Sequence, residues 1–460
     1  MKKLGNETKT LLGLIFSLAW PTMVEQALET LVQYADSAMV GHISAHASAC
    51  VGLTTSVTWL VNAPMYALGV GVLACIARSI GARDYEMAKR YAVQTVLLAV
   101  IAGTVLGVIT LSVSRFLPAW MGAEESLRHD GGLYFAIICA PMLFRAATII
   151  FASAMNATGD MKRPMLIHVV MNAVNLTFNY LLIYPTHEVS LLGIRLTMPG
   201  AGMGVIGAAI ATAIAFVVGG TCMTVCLFRS RTISPKGRKL RPDREAMLPC
   251  VRIGIPVMLQ RVASCLGQVV FGAMVTSLGT VPLATHSLAN TAEQAFYIPG
   301  YGMQAAASTL AGQALGEKNE RKLNKVSLMI ILLAAGIMTV TGSLLFAFPG
   351  QMMRLFTEDA EVIAGGITVL RIVAVSEPAF GAHIILEGTF NGVGDTKAPF
   401  AITLVCMWGI RILFTFICLN IFGLGLPAVW CCMVADNVSR CILLLIRYIR
   451  GSWKKKLVFD

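Results

Sequence analysis

Apolar runs of eighteen or more residues recur along the entire chain, and they restrict its fold more than any other feature. Residues 92–113 and 328–348 are two of them. Each is long enough to cross a hydrocarbon core of about 30 Å as an α-helix. We place twelve spans, at residues 12–40, 48–75, 91–117, 132–155, 165–185, 201–228, 249–276, 284–312, 326–348, 362–390, 400–421 and 424–449. Several exceed 25 residues and are expected to tilt or to extend beyond the lipid. Composition agrees: 56% of the 460 residues are hydrophobic and 13% charged, against about 25% charged in soluble proteins. The expected class is an all-α membrane protein.

The net charge of +12 could suggest a nucleic-acid partner, but its distribution argues otherwise. With the N-terminus placed in the cytoplasm, the inside segments hold 26 of the 36 Lys and Arg residues and the outside loops only Arg115, Arg128, Arg195 and Arg354. That asymmetry puts both termini in the cytoplasm. The positive charge is a topology signal, and part of it should lie against anionic lipid. The twelve cysteines are scattered with no CxxC spacing, so neither a disulfide framework nor a zinc site is expected. No cleavable leader is expected, because the first span is too long for one. Phosphate-loop, GxSxG and HExxH motifs are missing, so no enzyme is indicated and no cofactor is expected.

The longest polar stretch, residues 229–248, is basic and lies near the middle of the chain. Around it the sequence repeats at an offset of 235 residues. Pro21 matches Pro256, Pro64 matches Pro299 and Gly81 matches Gly316. NATGDMKRP, from Asn156 to Pro164, matches NGVGDTKAP, from Asn391 to Pro399. Six spans per repeat is an even number, so both halves keep the same orientation. Two six-helix bundles should be related by a pseudo-twofold axis along the membrane normal. The expected domains are residues 1–228, a cytoplasmic linker 229–248, and residues 249–460.

The first span carries Glu25, Glu29 and Asp36 with Gln33 between them. An Asp at mid-bilayer costs roughly 2.5–3.5 kcal/mol on insertion scales. At helical pitch the three acids fall within about 40° of one another, a stripe that cannot face lipid. The fifth span carries a second stripe, His168, Asn172, Asn175 and Asn179. In the second half the equivalent positions are Gln260, Ser264 and Phe271, and Thr403, Met407, Ile410 and Phe414. The two stripes therefore belong to the first half alone and should face one another. A carboxylate with two amides in a partly dry pocket can take up and release a proton. Alternatively Asp36, Asn175 and Asn179 could hold Na⁺, which oxygen ligands suit.

The second half has its own acids, Glu293, Glu377 and Glu387. Tyr297 shares a face with Glu293, and Gln260 stands on the seventh span. Acids and aromatics around a cavity would suit an organic cation. Asp436 and Arg440, four residues apart, are expected to form a structural ion pair. Asp160 and Asp395 are placed to cap the helices that follow their Gly turns.

The chain resembles the multidrug and toxic compound extrusion (MATE) family of cation-coupled antiporters. The likeness rests on Pro21 with DSAMVG from Asp36 to Gly41, on Gly81 and Gly316, and on the two NxxGDxxxP turns. It extends to PGAGMGVIGAAIAT from Pro199 to Thr212 and to residues 427–440. The resemblance implies a V-shaped pair of six-helix lobes and export of cationic or amphipathic drugs in exchange for H⁺ or Na⁺ by alternating access. It implies a coupling site at Asp36, Asn175 and Asn179, to which Glu25 is added, with Glu29, Gln33 and Asn172 as further cavity residues. The substrate cavity is expected at Glu293, Tyr297, Glu377, Glu387 and Gln260. A monomeric, multi-pass protein of a bacterial inner membrane is expected. The alternative is a flippase for lipid-linked precursors, whose cavity should instead be lined by arginine.

Overall fold

The computed structural model describes residues 2–41, 43–191 and 194–455. Lys456, one of the charges assigned above to the cytoplasmic side, lies outside them. The first half forms α1 (Lys2–Gly41), α2 (Ala45–Gly81), α3 (Tyr85–Val113), α4 (Leu117–Trp120), α5 (Glu125–Cys139), α6 (Met142–Ala157), α7 (Lys162–Ile183) and α8 (Gly204–Phe228). The second forms α9 (Arg244–Thr276), α10 (Thr280–Gly316), α11 (Glu320–Ala347), α12 (Pro349–Arg354), α13 (Ala360–Ala374), α14 (Glu377–Val393), α15 (Lys397–Leu404), α16 (Leu413–Asn420), α17 (Leu426–Arg450) and α18 (Ser452–Lys455). A π-helical segment, Val405–Ile412, joins α15 to α16.

Among the described residues nine helices are long and apolar enough to cross a membrane, counting α15 to α16 as one, and two bent pairs bring the number to eleven. The twelfth is α10, 37 residues long. His286, Asn290, Glu293 and Gln294 dilute the apolar character of its first half, and it contains the expected span 284–312. The architecture is thus that of a twelve-span all-α membrane protein. Large apolar side chains such as Val108, Leu332 and Val340 point outward with more than half their surface open, as a lipid-facing exterior requires.

Two expected spans are broken. Residues 132–155 fall in α5 and α6, bent by 48°, and residues 362–390 fall in α13 and α14, bent by 52°. Pro141 stands at the first break and Pro378 at the start of α14 after the second. Proline removes a backbone donor and clashes with the preceding turn, which accounts for a sharp bend. A two-stranded hairpin, β1 (Pro185–Leu191) with β2 (Ile194–Ala201), fills the connection from α7 to α8, where the sequence indicates only a loop.

The repeat is present in the backbone itself. Gly159 and Gly394, matched at the 235-residue offset, both adopt left-handed φ, +84° and +85°. Arg83 and Lys318, also matched, are the two non-glycine residues with positive φ among the described residues, at +58° and +54°. Just before them α2 and α10 cross in reciprocal contact. A Cβ on Gly81 would strike the carbonyl of Gln313, and a Cβ on Gly316 would strike that of Arg78. Gln313 and Arg78 are themselves an equivalent pair, so this is a self-complementary crossing of the kind a twofold relation generates. Gly81→Leu and Gly316→Leu should therefore lower the melting temperature by similar amounts, each at about 1–3 kcal/mol of overpacking. A loss at one position and none at the other would refute the reciprocity.

By packing, the chain divides into two units. Unit 1 comprises Met1–Met23, Leu73–Asp84 and Arg252–Asp460, and unit 2 comprises Val24–Val72 and Tyr85–Val251. Sequence halves and packing units thus part at the start of α1 and the end of α2. The α2–α10 crossing explains the second case. For the first, Thr22 donates from its hydroxyl to the Gly302 carbonyl at 2.5 Å, next to Pro21. Gly302 leaves room for this approach, since a Cβ there would lie 2.6 Å from the Cα of Met23.

Inside unit 2, the linker is tied down rather than loose. Arg90 grips Asp243 at 2.6 and 3.0 Å, Gln94 bonds to the backbone at Arg241 and Asp243, and Arg238 bonds to Glu86. The Arg90 guanidinium holds the Asp243 carboxyl below the usual carboxylate range.

Candidate functional site

Unit 2 encloses a cavity of about 480 Å³. The latter part of α1 supplies Glu25, Glu29, Gln33 and Asp36 to its wall, and α7 supplies His168, Asn172 and Asn175. The helical spacing that puts each set on one face also puts both faces on this space. At one end His168 Nε2 lies 3.2 Å from a Glu25 carboxylate oxygen, a contact that becomes an ion pair when the imidazole is protonated. The other Glu25 oxygen is buried without a partner. Gln26 donates to Glu29 at 3.0 Å.

At the other end Asn179 donates from Nδ2 to Asp36 Oδ1 at 2.5 Å and to Asn175 Oδ1 at 3.1 Å. Asn175 in turn donates to the Thr212 hydroxyl of α8 at 3.2 Å. In the resulting chain Asn179 is the donor to both sides: one branch ends on the Asp36 carboxylate and the other runs through Asn175 to the Thr212 hydroxyl. Asn179 is 1% exposed and does not reach the cavity wall; it supports Asp36 from behind. Asp36 itself is half-buried and borders the cavity, so its second oxygen can meet a small cation or a proton.

Asp36, Glu25 and Asn175 thus line one cavity with Glu29, Gln33 and Asn172, while Asn179 lies behind its wall against Asp36. The group that faces the Asp36 carboxylate is the Asn179 amide nitrogen, and the Asn175 oxygen accepts from the same nitrogen. Among the described residues no group of three or more His, Cys, Asp or Glu side chains is arranged to hold a metal ion. A Na⁺ held here would need the amide oxygens as well as the carboxylate.

Among the cavity residues that the sequence stripes do not single out, one is charged. Arg145 of α6 is 8% exposed, borders the cavity and sets its guanidinium 4.4 Å from the centre of the Phe216 ring. No carboxylate among the described residues forms an ion pair with it, and its Nε and Nη1 have no hydrogen-bond partner. The cavity therefore holds one buried cation opposite three acids. The repeat contains the signal: the position equivalent to Arg145 is Phe380, so this charge, like Asp36 against Phe271, exists in one half only.

The second-half residues lie in unit 1 and are arranged differently. Glu293 of α10 and Glu377 of α14 are 0% and 1% exposed, and all four carboxylate oxygens lack hydrogen-bond partners. Tyr297 packs on Phe380 with ring centres 4.4 Å apart, and Phe380 in turn meets His383. Gln260 donates to the Thr403 hydroxyl at 3.1 Å and is buried. Glu387 is half-buried. The pairs Glu293–Glu377 and Gln260–Thr403 are thus enclosed between helices.

One further expectation concerns an ion pair and two concern helix caps. Asp436 is fully buried and binds Arg440 at 2.7 and 2.9 Å, and it also binds Arg411 of the π-helical segment at 2.8 Å. Asp160 accepts from the Arg163 amide at 3.3 Å, near the start of α7. Asp395 does not cap α15; it binds Arg447 at 2.6 and 2.8 Å, because that guanidinium reaches it from α17.

Comparison with known proteins agrees with this architecture. The protein described as "Probable multidrug resistance protein NorM" of Thermotoga maritima is 25% identical over 96% of this chain and 93% of its own length. "Uncharacterized transporter YisQ" of Bacillus subtilis is 22% identical over 99% and 97%. Among solved structures, a MOP superfamily transporter from Pyrococcus furiosus, described as having a binding pocket of reverse polarity that suggests a different function, superposes with a TM-score of 0.87. It is 26% identical over 96% of both chains. A multidrug resistance MATE family transporter in an outward-facing conformation superposes with a TM-score of 0.85 at 25% identity, again over 96% of both chains. The MatE family model matches twice, over residues 21–181 and 256–417, its two copies opening on the equivalent prolines Pro21 and Pro256. With most of its length matched in two tandem copies, the chain belongs to the MatE family of membrane transporters, not to a family of enzymes.

Proposed function

We propose that the protein is a secondary efflux transporter. It exports cationic or amphipathic drugs or toxic organic compounds in exchange for H⁺ or Na⁺, by alternating access between the two sides of a bacterial inner membrane. Both termini are cytoplasmic in this reading, and one chain suffices for transport. The observation that carries it is Asp36: a half-buried intramembrane carboxylate bordering a polar cavity, supported by the amide of Asn179 at 2.5 Å. An intramembrane acid so placed marks an ion pathway by default. The names of the relatives support drug export as the transported class.

In the proposed cycle, ion binding at Asp36 weakens its grip on Asn179. The α1–α7 packing shifts with it, as does the affinity of the cavity for its cargo. A bound ion can move that equilibrium only by its different affinity for the two states. Glu25, held by His168, is a second acceptor on the same cavity. Glu293 and Glu377 in unit 1, with Tyr297, Glu387 and Gln260, form a second acidic site for a cationic cargo, reached when the helices around them part.

Proteoliposomes loaded with ethidium test this reading under an imposed pH gradient, an imposed Na⁺ gradient, or neither. Export should follow one gradient and stop in its absence. Export that ignores both would reject coupled antiport. A second reading, a flippase for lipid-linked phosphates, draws on Arg145 alone, whose unpaired guanidinium could meet a phosphate in the cavity. Arg145→Gln should leave ethidium export in place if drugs are the cargo. Failure to move ethidium at all, with movement of a labelled lipid-linked precursor that Arg145→Gln abolishes, would favour the flippase.

A further inference from the structure

A second cavity, of about 700 Å³, lies in unit 1 where α9 begins, the Gly394 turn closes and α17 ends. Three exposed cationic side chains border it: Arg252 from α9, Lys397 from the start of α15 and Arg450 from the end of α17. No carboxylate among the described residues forms an ion pair with any of them. The acid on this wall, Asp395, is already neutralised by Arg447 at 2.6 Å. The site therefore keeps three unbalanced positive charges.

Two other features point to the same kind of ligand. Thr396 does not cap α15; its hydroxyl donates to the Ile253 carbonyl at 2.9 Å, so the first turn of that helix has no side-chain cap on its amides. Helix N-termini with open amides favour anions. One wall, however, is apolar: Leu443 and Ile446 line the cavity and are 39% and 40% exposed. At its edge sits Trp453, buried and stacked on Tyr448, a residue type that favours the membrane–water boundary. All of these basic residues lie at the end of the bundle that the charge asymmetry assigns to the cytoplasm, where anionic lipid headgroups concentrate.

We propose that this cavity binds the phosphate headgroup of an anionic phospholipid, with an acyl chain lying along Leu443 and Ile446. A free phosphate would use the cations and the helix N-terminus but leave the apolar wall unused, and the wall is what selects a lipid.

The test uses the purified full-length chain in mixed micelles of a neutral detergent and phosphatidylcholine, titrated with phosphatidylglycerol, inorganic phosphate or glycerol 3-phosphate. Lipid retention is read by native mass spectrometry and stability by thermal melting. The variant R252Q/K397Q/R450Q removes the site, and R229Q/R231Q/K236Q removes as much exposed charge from the linker. Phosphatidylglycerol should be retained by the wild type and by the linker variant. Its apparent affinity should fall about a hundredfold in the site variant, from about 1 kcal/mol per lost charge at 1.4 kcal/mol per tenfold. Equal retention by the site variant, or equal loss in the linker variant, would overturn the proposal. So would stabilisation by inorganic phosphate or glycerol 3-phosphate matching that by phosphatidylglycerol. If the triple variant melts early in phosphatidylcholine alone, K397Q and R450Q singly should each lower the affinity about fivefold, and no change in either counts against the site.

Discussion

Asp36→Asn should reduce gradient-driven ethidium export to the level of protein-free vesicles while leaving the amount of inserted, monodisperse protein unchanged. The substitution keeps the volume of the side chain and an oxygen that can accept from Asn179, so the Thr212–Asn175–Asn179 chain survives. What it removes is the group that gains and loses a charge. A gradient of one pH unit supplies about 1.4 kcal/mol per proton, but only through a group that binds the proton differently in two states. Moving a two-state equilibrium from 1:99 to 99:1 takes about 5.5 kcal/mol of differential binding. Without Asp36 the remaining acceptor, Glu25, is held by His168 and has no contact with Asn179, so the gradient loses its lever on the α1–α7 packing. Asn179→Ala should produce a milder defect, because it strips support from the carboxylate but leaves the carboxylate itself. Export by the Asp36→Asn protein at wild-type rate would eliminate the coupling role.

The second large effect is on stability. Asp436→Asn should lower stability by about 3–5 kcal/mol, the range for removing one partner of a buried ionic group. Asp436 is the shared anion of Arg411 and Arg440, whose side chains are 7% and 13% exposed. Its loss strands two guanidinium groups between helices. Arg411 has one neutral partner left, Asn437 at 3.2 Å, and the face of Phe271 at 5.6 Å. Arg440→Gln, by contrast, leaves a balanced Asp436–Arg411 pair and should cost less. Detergent melting curves of the two variants give the comparison. Equal melting temperatures for Asp436→Asn and the wild type would show that the triad does not hold α17 to the π-helical segment.

Much of this molecule was legible in the sequence because its determinants are periodic. The 3.6-residue helical period fixes which side chains share a face, so the acids of α1 and the amides of α7 could be assigned to stripes without coordinates. The offset of 235 residues needed only matching positions, and the paired left-handed turns at Gly159 and Gly394 follow from it. Residue type did the rest: an acid in an apolar span has to face away from lipid.

Other features depend on contacts between residues far apart in the chain. Periodicity places Arg145 on a face of α6 but does not say that this face borders the acids of α1, nor that Phe216 of α8 covers its guanidinium. Asp395 meets all the local requirements of a helix cap, yet it is taken by Arg447, 52 residues away, because a charged partner outcompetes a backbone amide. Asp436 and Arg440 were readable as neighbours at i and i+4. Arg411 was not, since the π-helical turn changes the angular phase of the residues that follow it. The number of spans, the internal repeat and the side of each helix that must avoid lipid are local consequences of hydrophobicity and helical pitch, and so can be read from residue order alone. Which polar faces meet, which charges stay unpaired and where α1 and α2 change packing unit are set by close packing between helices distant in the chain, and no local pattern encodes them.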